Sequence, residues 1–370
     1  MTTADIMTTP ATTSATTSAT TLILDKLPKS PGVWAQAWAR LKTDRVGMAC
    51  LYVTVFFIGL VLLAQLGLVG KNWQKEVGTP FAPPHFVGKI VDGSQTAVLD
   101  RIEGAAVDLS DVDPLAPRYK EWSERAALFK TTNTVKSDTL PFGGDQLGRD
   151  VLSKVIKGAQ VSITVGLAAA LFATLIGTIL GAIGGYFGGP VGDFLEWVYN
   201  VFTAIPYILL VFALAAVLKS GPLAGTLGSG VWTVVIILSL VGWTGIYRLV
   251  RAEYIKHRAR EYVMAAEAIG ASHASRMFTH ILPNISHVVL VQLSLHVVSF
   301  IKAEVILSYL GLGVPLDMVS WGTMLAEAQT ELVQGKWWQL VAATAFMASF
   351  VTAFALLTDA LRDALDPKLR

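Results

Sequence analysis

Four of the six histidines lie near one another in the sequence and raise the question of a metal site. They are His273, His280, His287 and His296. Imidazole nitrogens are common ligands of zinc, nickel and copper, but the ligands of one ion must converge on one point. Separations of seven and nine residues spread these rings along the chain. The sequence therefore predicts no metal site, and a polar loop is a sufficient reason for most of these histidines.

Lysines that follow a glycine could belong to a phosphate-binding loop. Such a loop has the pattern G-x-x-x-x-G-K-[ST], in which backbone amides and the lysine hold the phosphates. The three Gly-Lys pairs, at 70–71, 88–89 and 335–336, are followed by Asn, Ile and Trp. We therefore expect no nucleotide site and no catalytic residue in this chain. If ATP drives its function, a partner must hydrolyse it.

The remaining candidates for chemistry are charged residues next to long apolar stretches. Asp145, Arg149 and Asp150 precede one such stretch, where a local ion pair and favourable charge at a helix N-terminus account for them; contact with a partner chain is the alternative. Lys302 and Glu304 lie late in another stretch. Charges in a bilayer cost at least about 2.5 kcal/mol at its centre and usually face protein or water. Glu304 is therefore either part of an outer gate or a structural hydrogen-bonding group, and Lys302 should extend toward the interface.

The amino-acid composition is that of a membrane protein. Of 370 residues, 53% are hydrophobic and only 15% are charged, against about 25% charged in a soluble domain. A polytopic, all-α membrane protein is predicted. The formal net charge of +2 gives no reason to expect nucleic acid, and the single cysteine, Cys50, cannot form an intrachain disulfide.

Crossing about 30 Å of hydrocarbon takes roughly 20 apolar residues. Six stretches qualify: 46–69, 161–186, 194–218, 231–250, 284–310 and 338–361. Pro206 interrupts the third, which a membrane helix tolerates as a kink. The second contains "GTILGAIGG" from Gly177 to Gly185, and small residues of this kind favour close helix packing.

Basic residues set the expected orientation. They precede the first span, follow the fourth and follow the sixth, so an even number of spans puts all three groups on one side, which the positive-inside rule makes cytoplasmic. We expect a disordered cytoplasmic tail at 1–32, an interfacial helix and the first span at 33–69, and an extracytoplasmic insert at 70–157. The membrane core would be 158–370, with Trp321, Trp337 and Trp338 available as interface anchors on the outer side.

The polar segment between the fourth and fifth spans has a helical pattern that a simple connecting loop would not need. "REYVMAAEAIGASHASRMFTHILPN", from Arg260 to Asn284, has apolar residues at helical spacing on both sides of Gly270. It therefore predicts two short helices joined at a residue that can adopt positive φ. The alanines leave a shallow surface for another protein, while a basic amphipathic loop on the membrane is the alternative.

This segment resembles the EAA loop of permease subunits of ATP-binding-cassette importers, in the form typical of the oligopeptide, dipeptide and nickel permease family. Two alanines, three residues, a glycine and a later Leu-Pro are matched by Ala265, Ala266, Gly270, Leu282 and Pro283. The leading acidic position of the pattern is occupied by Met264, a departure that this subfamily also shows.

Other stretches resemble the same family in the same order. They are "LGRDVLSKVIKGAQVSITVG" from Leu147, "EVILSYLGLGV" from Glu304, "SWGTML" from Ser320 and "LRDALDPKLR" from Leu361. The chain departs from the family where Gly143-Gly144-Asp145 replaces Gly-Thr-Asp, at Asn200, where an aspartate is common, and in its longer insert. These departures make the substrate class less certain than membership of the family.

The resemblance implies the type I permease fold of these importers, in the second (dipeptide-permease C-like) of two permease chains. It implies a coupling loop at 251–283 that contacts an ATPase through Glu261, Ala265, Ala266, Gly270, Ala271 and Pro283. The implied partners are a homologous second permease, two ATP-binding-cassette subunits that hold ATP and Mg, and an extracytoplasmic solute-binding protein. The implied location is the bacterial cytoplasmic (inner) membrane, with both termini cytoplasmic.

Peptides are the first expectation for the cargo, with nickel or another small solute as the alternative. An ion-coupled secondary transporter is a different class, which would call for inverted repeats and carboxylates at mid-membrane. A membrane enzyme would call for a His, Asp or Glu cluster at one depth. Neither pattern is visible in the sequence.

Overall fold

The structure, a computed structural model, describes residues 33–88, 118–128, 136–220, 230–315 and 317–365. The expected tail at 1–32, the middle of the expected insert and the last five residues lie outside this part of the chain. The described residues form eleven helices of eight or more residues: α1 Val33–Thr43, α2 Arg45–Gln65, α3 Tyr119–Leu128, α4 Val151–Phe187, α5 Gly189–Thr203, α6 Tyr207–Ser220, α7 Val231–Arg258, α8 Glu261–Ala268, α9 Leu282–Tyr309, α10 Trp321–Val333 and α11 Trp338–Leu365.

Within the described residues, five helical runs are long and apolar enough to cross a membrane: α2, α4, α7, the run His273–Tyr309 that contains α9, and α11. A sixth crossing is made by α5 and α6 together. The two helices meet at an angle of 89° around Pro206, which is a far larger bend than the kink expected from the sequence. The all-α polytopic fold class is confirmed.

Packing shows that the bent pair α5–α6 crosses the bundle. Helices α4 and α7 run parallel, because Gly177 approaches Ile246 and Gly185 approaches Tyr254 further along both helices. The chain must therefore return to the opposite end between them. Lys219 at the end of α6 donates a hydrogen bond to the carbonyl of Gly313, which follows the end of α9. The even number of crossings expected from the sequence follows from this connectivity.

The glycines at 177, 181 and 185 let α4 and α7 approach closely. A Cβ at Gly177 would lie 2.2 Å from the Ile246 side chain, and one at Gly181 would lie 2.8 Å from the carbonyl oxygen of Tyr247. Neither position has room for a larger residue, so the small-residue stripe forms the centre of the helix bundle. The packing expected for "GTILGAIGG" is confirmed.

The two ends of the bundle differ. The loop end carries α8 and the junction of α1 with α11, where Arg40 donates to the carbonyl of Ala364 at 3.3 Å. The insert end carries residues 71–88 and 136–150, which pair through isolated β-bridges such as Glu76 with Arg149. Helix α4 begins at Val151, inside the range expected for the insert, because Asp150 caps it by accepting from the amides of Leu152 and Ser153.

Two tryptophans expected as interface anchors lie in the protein core instead. Trp321 is fully buried, and its indole donates to the carbonyl of Val155 at 3.3 Å. Trp338 is also buried and donates to the carbonyl of Gly144 at 2.7 Å. Of the three, only Trp337 is exposed. The assignment of Trp321 and Trp338 as anchors was wrong, since their indole N–H groups find partners inside the fold.

Candidate coupling loop and polar clusters

Helix α8 is held against the loop end of the bundle by a small apolar core. Val263 on its inner face is buried with Met277 and Ile281 from the following turn, and with Tyr254 from α7. Ala266 of α8 is buried as well. Ala265 points the other way and is exposed. The two alanines of the sequence motif therefore have different positions: Ala266 belongs to the core that fixes the loop, and Ala265 belongs to its surface.

Gly270 ends α8 in a Schellman motif. Its own N–H donates to the carbonyl of Glu267 at 2.9 Å, and the N–H of Ala271 donates to the carbonyl of Ala266 at 3.0 Å. Gly270 has φ of +84°, and no atom lies within 4 Å of the position that a Cβ would take. Backbone conformation, and not lack of space, therefore requires glycine here.

Replacing Gly270 by alanine should destabilise the loop by about 1–2 kcal/mol, the usual cost of the left-handed conformation for a residue with a Cβ. Hydrogen–deuterium exchange of residues 261–283 would measure this as faster exchange. Gly59→Ala is the matched control, because Gly59 also has open space around it but lacks positive φ. Equal exchange in the two variants would contradict the assignment.

Polar contacts fix the segment after Gly270 to two long helices. The hydroxyl of Tyr254 on α7 donates to the carbonyl of Met277 at 3.0 Å. Arg276 forms an ion pair with Glu267 of α8 at 2.7 Å and lies over the ring of Tyr186 at the end of α4. His273 Nδ1 lies 3.0 Å from both the Tyr186 hydroxyl and an Arg276 nitrogen, so it acts as their shared acceptor. A π-helical turn, Arg276–Ile281, then leads into α9, with Pro283 in its first turn.

The outer surface of the loop exposes several apolar side chains. Ile269 is 83% exposed and Met264 is 52% exposed. Ala265, Ala268 and Glu261 are exposed beside them, Pro283 is exposed further along, and Ala271 is half-buried. An apolar surface on a segment this firmly attached to the bundle is suited to receive another protein.

At the insert end, Asp145 is the centre of a buried charge network. Its carboxylate is fully buried and accepts from Lys154 at 2.8 Å and from Arg149 at 2.6 Å. Lys154, also buried, pairs with Glu327 of α10 and donates to Gln339 of α11 at 3.3 Å. Burial raises the pKa of Asp145, but the charges and hydrogen bonds of Lys154 and Arg149 outweigh this and hold it below its usual value. The local Asp145–Arg149 ion pair expected from the sequence is present.

Glu331 of α10 belongs to the same network but lacks a full set of partners. One carboxyl oxygen accepts from the backbone N–H of Gln146 at 3.3 Å, and the other has no partner among the described residues. Burial raises the pKa of Glu331 to about 7, against the opposing charge of Lys154. Asp145 and Glu327 add to the shift by repulsion.

This raised pKa predicts a pH dependence of stability. The folded state binds the Glu331 proton more tightly than the unfolded chain, whose carboxyl has a pKa near 4.5. The contribution is therefore fully present below pH 4.5 and is lost as the pH rises through about 7. In detergent, Glu331→Gln should be less sensitive than the parent chain to a change from pH 5 to pH 8, measured as the thermal midpoint. The same pH dependence in both would contradict this.

Glu304 is buried between three elements of the insert end. One carboxyl oxygen accepts from the Ser308 hydroxyl at 2.7 Å. The other carboxyl oxygen has no hydrogen-bond partner among the described residues. Ser162 of α4 accepts from the N–H of Trp321 at 3.1 Å in the same region. Complete burial supports the structural role; the outer-gate role stays a prediction. Lys302, two residues earlier, is exposed on the opposite face of α9.

A polar contact halfway along the bundle was missed by the sequence reasoning. His296 of α9 is buried, and its Nδ1 lies 3.2 Å from the Thr174 hydroxyl of α4. Its Nε2 lies 3.2 Å from the amide nitrogen of Gln292. A histidine in a long apolar stretch was the available signal, but it was grouped with the loop histidines. Within the described residues, no three His, Cys, Asp or Glu side chains come together as metal ligands would.

Comparison with known proteins identifies relatives along most of the chain. Residues 162–370 match the family described as binding-protein-dependent transport system inner membrane component. The dipeptide transport system permease protein of Bacillus subtilis is 32% identical over 334 residues, covering 90% of this chain and 85% of that protein. The oligopeptide transport system permease protein of the same organism is 37% identical, covering 65% and 78%. The glutathione transport system permease protein of Salmonella typhimurium is 39% identical, covering 62% and 72%.

Proposed function

Because the chain belongs to the family of binding-protein-dependent transport system inner membrane components, we propose that it is the membrane-spanning permease subunit of an ATP-driven importer of peptides. Three relatives are named for dipeptide, oligopeptide and glutathione transport, and all of these cargoes contain peptide bonds. The shared chemistry supports peptides over nickel or another small solute. The chain itself is a transport component of the inner membrane.

The loop end faces the cytoplasm in this proposal, and the insert end faces outward. The basic residues that follow the fourth crossing support this orientation, because the positive-inside rule counts charges close to the membrane. They include Arg248, Arg251, Lys256, Arg258 and Arg260. Both chain termini are then cytoplasmic, and a solute-binding protein delivers cargo to the insert end.

The observation that carries the proposal is the contrast between the two faces of α8. Its inner face is fixed to α4 and α7 through Val263, Tyr254 and Arg276, while Ile269 beside it is 83% exposed. A partner ATPase that grips Ile269 and Met264 would thus push on both helices. The absence of a G-x-x-x-x-G-K-[ST] pattern in the sequence supports a separate ATPase.

In the proposed mechanism, two ATPase subunits close on ATP and move the loops of this chain and of a homologous second permease. The crossings then rock between inward-open and outward-open states, an equilibrium that nucleotide biases. The closely packed pair α4–α7 would move as one body, because its glycine contacts leave no space for sliding. The outer surface would be stabilised by Asp145, Arg149 and Asp150, because their side chains form ion pairs and a helix cap within this chain.

Reconstitution tests the proposal. The tagged chain, its second permease, the ATPases and the binding protein are placed in lipid vesicles, and uptake of radiolabelled trialanine is followed. We expect uptake that needs ATP and the binding protein. Uptake driven by an ion gradient without ATP would point to a secondary transporter and overturn the proposal. ATP-driven uptake of nickel that trialanine does not inhibit would overturn the peptide assignment.

A further inference from the structure

The polar contact formed by Gln292, His296 and Thr174 lies within the membrane-spanning part of the bundle, on the side of its middle nearer the loop end. Gln292 is eight residues inside the span expected at 284–310, and Gly245 of α7 is five residues from the end of the span expected at 231–250. A Cβ on Gly245 would lie 3.9 Å from both Gln292 Nε2 and His296 Nε2. Three helices thus bring polar groups and a residue without a side chain to one depth.

Hydrogen bonding fixes which atom of Gln292 is free. Its amide nitrogen can only donate, so His296 Nε2 is the acceptor at 3.2 Å. The ring proton then lies on Nδ1 and is donated to the Thr174 hydroxyl at 3.2 Å. The carbonyl oxygen of Gln292 is left without a partner among the described residues.

The environment closes around His296 and leaves Gln292 open. The ring of Phe300 stacks on the imidazole at 5.1 Å between centroids, and Phe300 itself fills the space beside Gly242, where a Cβ would lie 2.1 Å from it. His296 is therefore covered on that side. Gln292 is only half-buried, and Gly245, which is exposed, puts no side chain over its amide.

An open amide carbonyl at this depth does not suit contact with lipid. An amide without a hydrogen bond in an apolar medium costs several kcal/mol, and polar groups within membrane spans generally face protein or a water-filled path. The face of α9 that carries Gln292 therefore suits contact with another protein chain or with a water-filled path, and not with lipid. A carbonyl oxygen accepts hydrogen bonds, so the group it recognises is an N–H donor.

We propose that Gln292 is a cargo contact in the translocation path, whose carbonyl oxygen accepts a hydrogen bond from a backbone N–H of a passing peptide. His296 and Thr174 are positioning residues that hold the amide in this orientation. This inference rests on the proposed function and adds to it a residue of the permease that responds to the chemistry of the cargo.

The test compares trialanine, which has two peptide N–H groups, with an analogue methylated on both peptide nitrogens, which has none. Both are loaded to saturation on the binding protein, and initial uptake is measured in the reconstituted complex. The parent complex should transport trialanine roughly tenfold faster, as expected for one hydrogen bond. Gln292→Met should transport both at similar rates, whereas Gln292→Glu, which keeps an acceptor, should retain the preference. Ser294→Ala on the same helix is the matched control.

Two outcomes overturn the inference but leave the proposed function standing. The first is ATP-driven uptake by the parent complex with no preference for trialanine over the methylated analogue. The second is an unchanged preference in Gln292→Met. His296→Phe provides an independent variant: it should weaken the preference while binding-protein-stimulated ATP hydrolysis continues, and an equal loss for both peptides would make the contact purely structural. Absence of ATP-driven uptake in the parent complex would instead contradict the proposed function.

Discussion

Replacing Ile269 by aspartate should prevent the ATPase subunits from docking while the permease chain remains folded. Ile269 is 83% exposed and contributes little to the core of the loop. In the complex it would be covered, and burying an isoleucine side chain is worth about 1.5–3 kcal/mol. Loss of that burial, with a carboxylate to desolvate in its place, should weaken docking by more than about a hundredfold. Copurification of the ATPase with the tagged permease, and the uptake rate, both report the loss.

Val333→Asp is the matched control for this experiment. Val333 is 87% exposed but lies at the end of α10, on the opposite side of the bundle. The control variant should copurify with the ATPase as the parent chain does. If Ile269→Asp also retained full copurification and uptake, the loop surface would not be the docking site.

Replacing Lys154 by methionine should cause the largest loss of stability among the charged residues at the insert end. The side chain of Lys154 is 1% exposed and that of Asp145 is 0% exposed. Removing one partner leaves a buried carboxylate with one cation, Arg149, among the described residues, besides two backbone N–H donors. Such changes typically cost about 3–5 kcal/mol. The thermal midpoint of the purified chain in detergent should fall accordingly.

Two further variants separate charge from packing in this network. Lys136→Met removes an exposed pair with Glu76, at 2.8 Å, and should cost at most about 1 kcal/mol. Adding Asp145→Asn to Lys154→Met should recover part of the loss, because the uncompensated charge is then gone. Equal midpoints for Lys154→Met and Lys136→Met would contradict the role of the buried network.

The sequence was sufficient to predict the helical class, an even number of crossings and a short helix that ends at Gly270. These features depend on local signals: apolar runs of the necessary length, basic flanks, and a glycine where a short helical pattern stops. It could not tell Ala265 from Ala266, because α8 is only eight residues long and either alanine could face inward. Only the packing of α8 against the bundle, in which Val263 and Ala266 are buried, decides between them.

Contacts between residues far apart in the chain also could not be predicted from the sequence. Lys154 and Glu327 are 173 residues apart, and no spacing rule connects them. Tryptophan is common at membrane interfaces, but the indole N–H groups of Trp321 and Trp338 donate to carbonyl groups inside the fold. His296 is similar: its role depends on Thr174 of another helix and on the gap at Gly245. In each case the sequence identifies the residue type and tertiary packing decides its use.

In the proposed mechanism the loop transmits force because Arg276 and its neighbours attach α8 to α4. Arg276→Met removes the pairs with Glu267 and Tyr186 but leaves Ile269 exposed for docking. The most direct measurement is the number of ATP molecules hydrolysed per trialanine imported by the reconstituted complex. Lys256→Met, an exposed change at the same end, is the control. We expect Arg276→Met to keep hydrolysis but lose uptake, so that the ratio rises several-fold above the control. A ratio equal to that of the control would show that Arg276 does not carry force from the loop to the bundle.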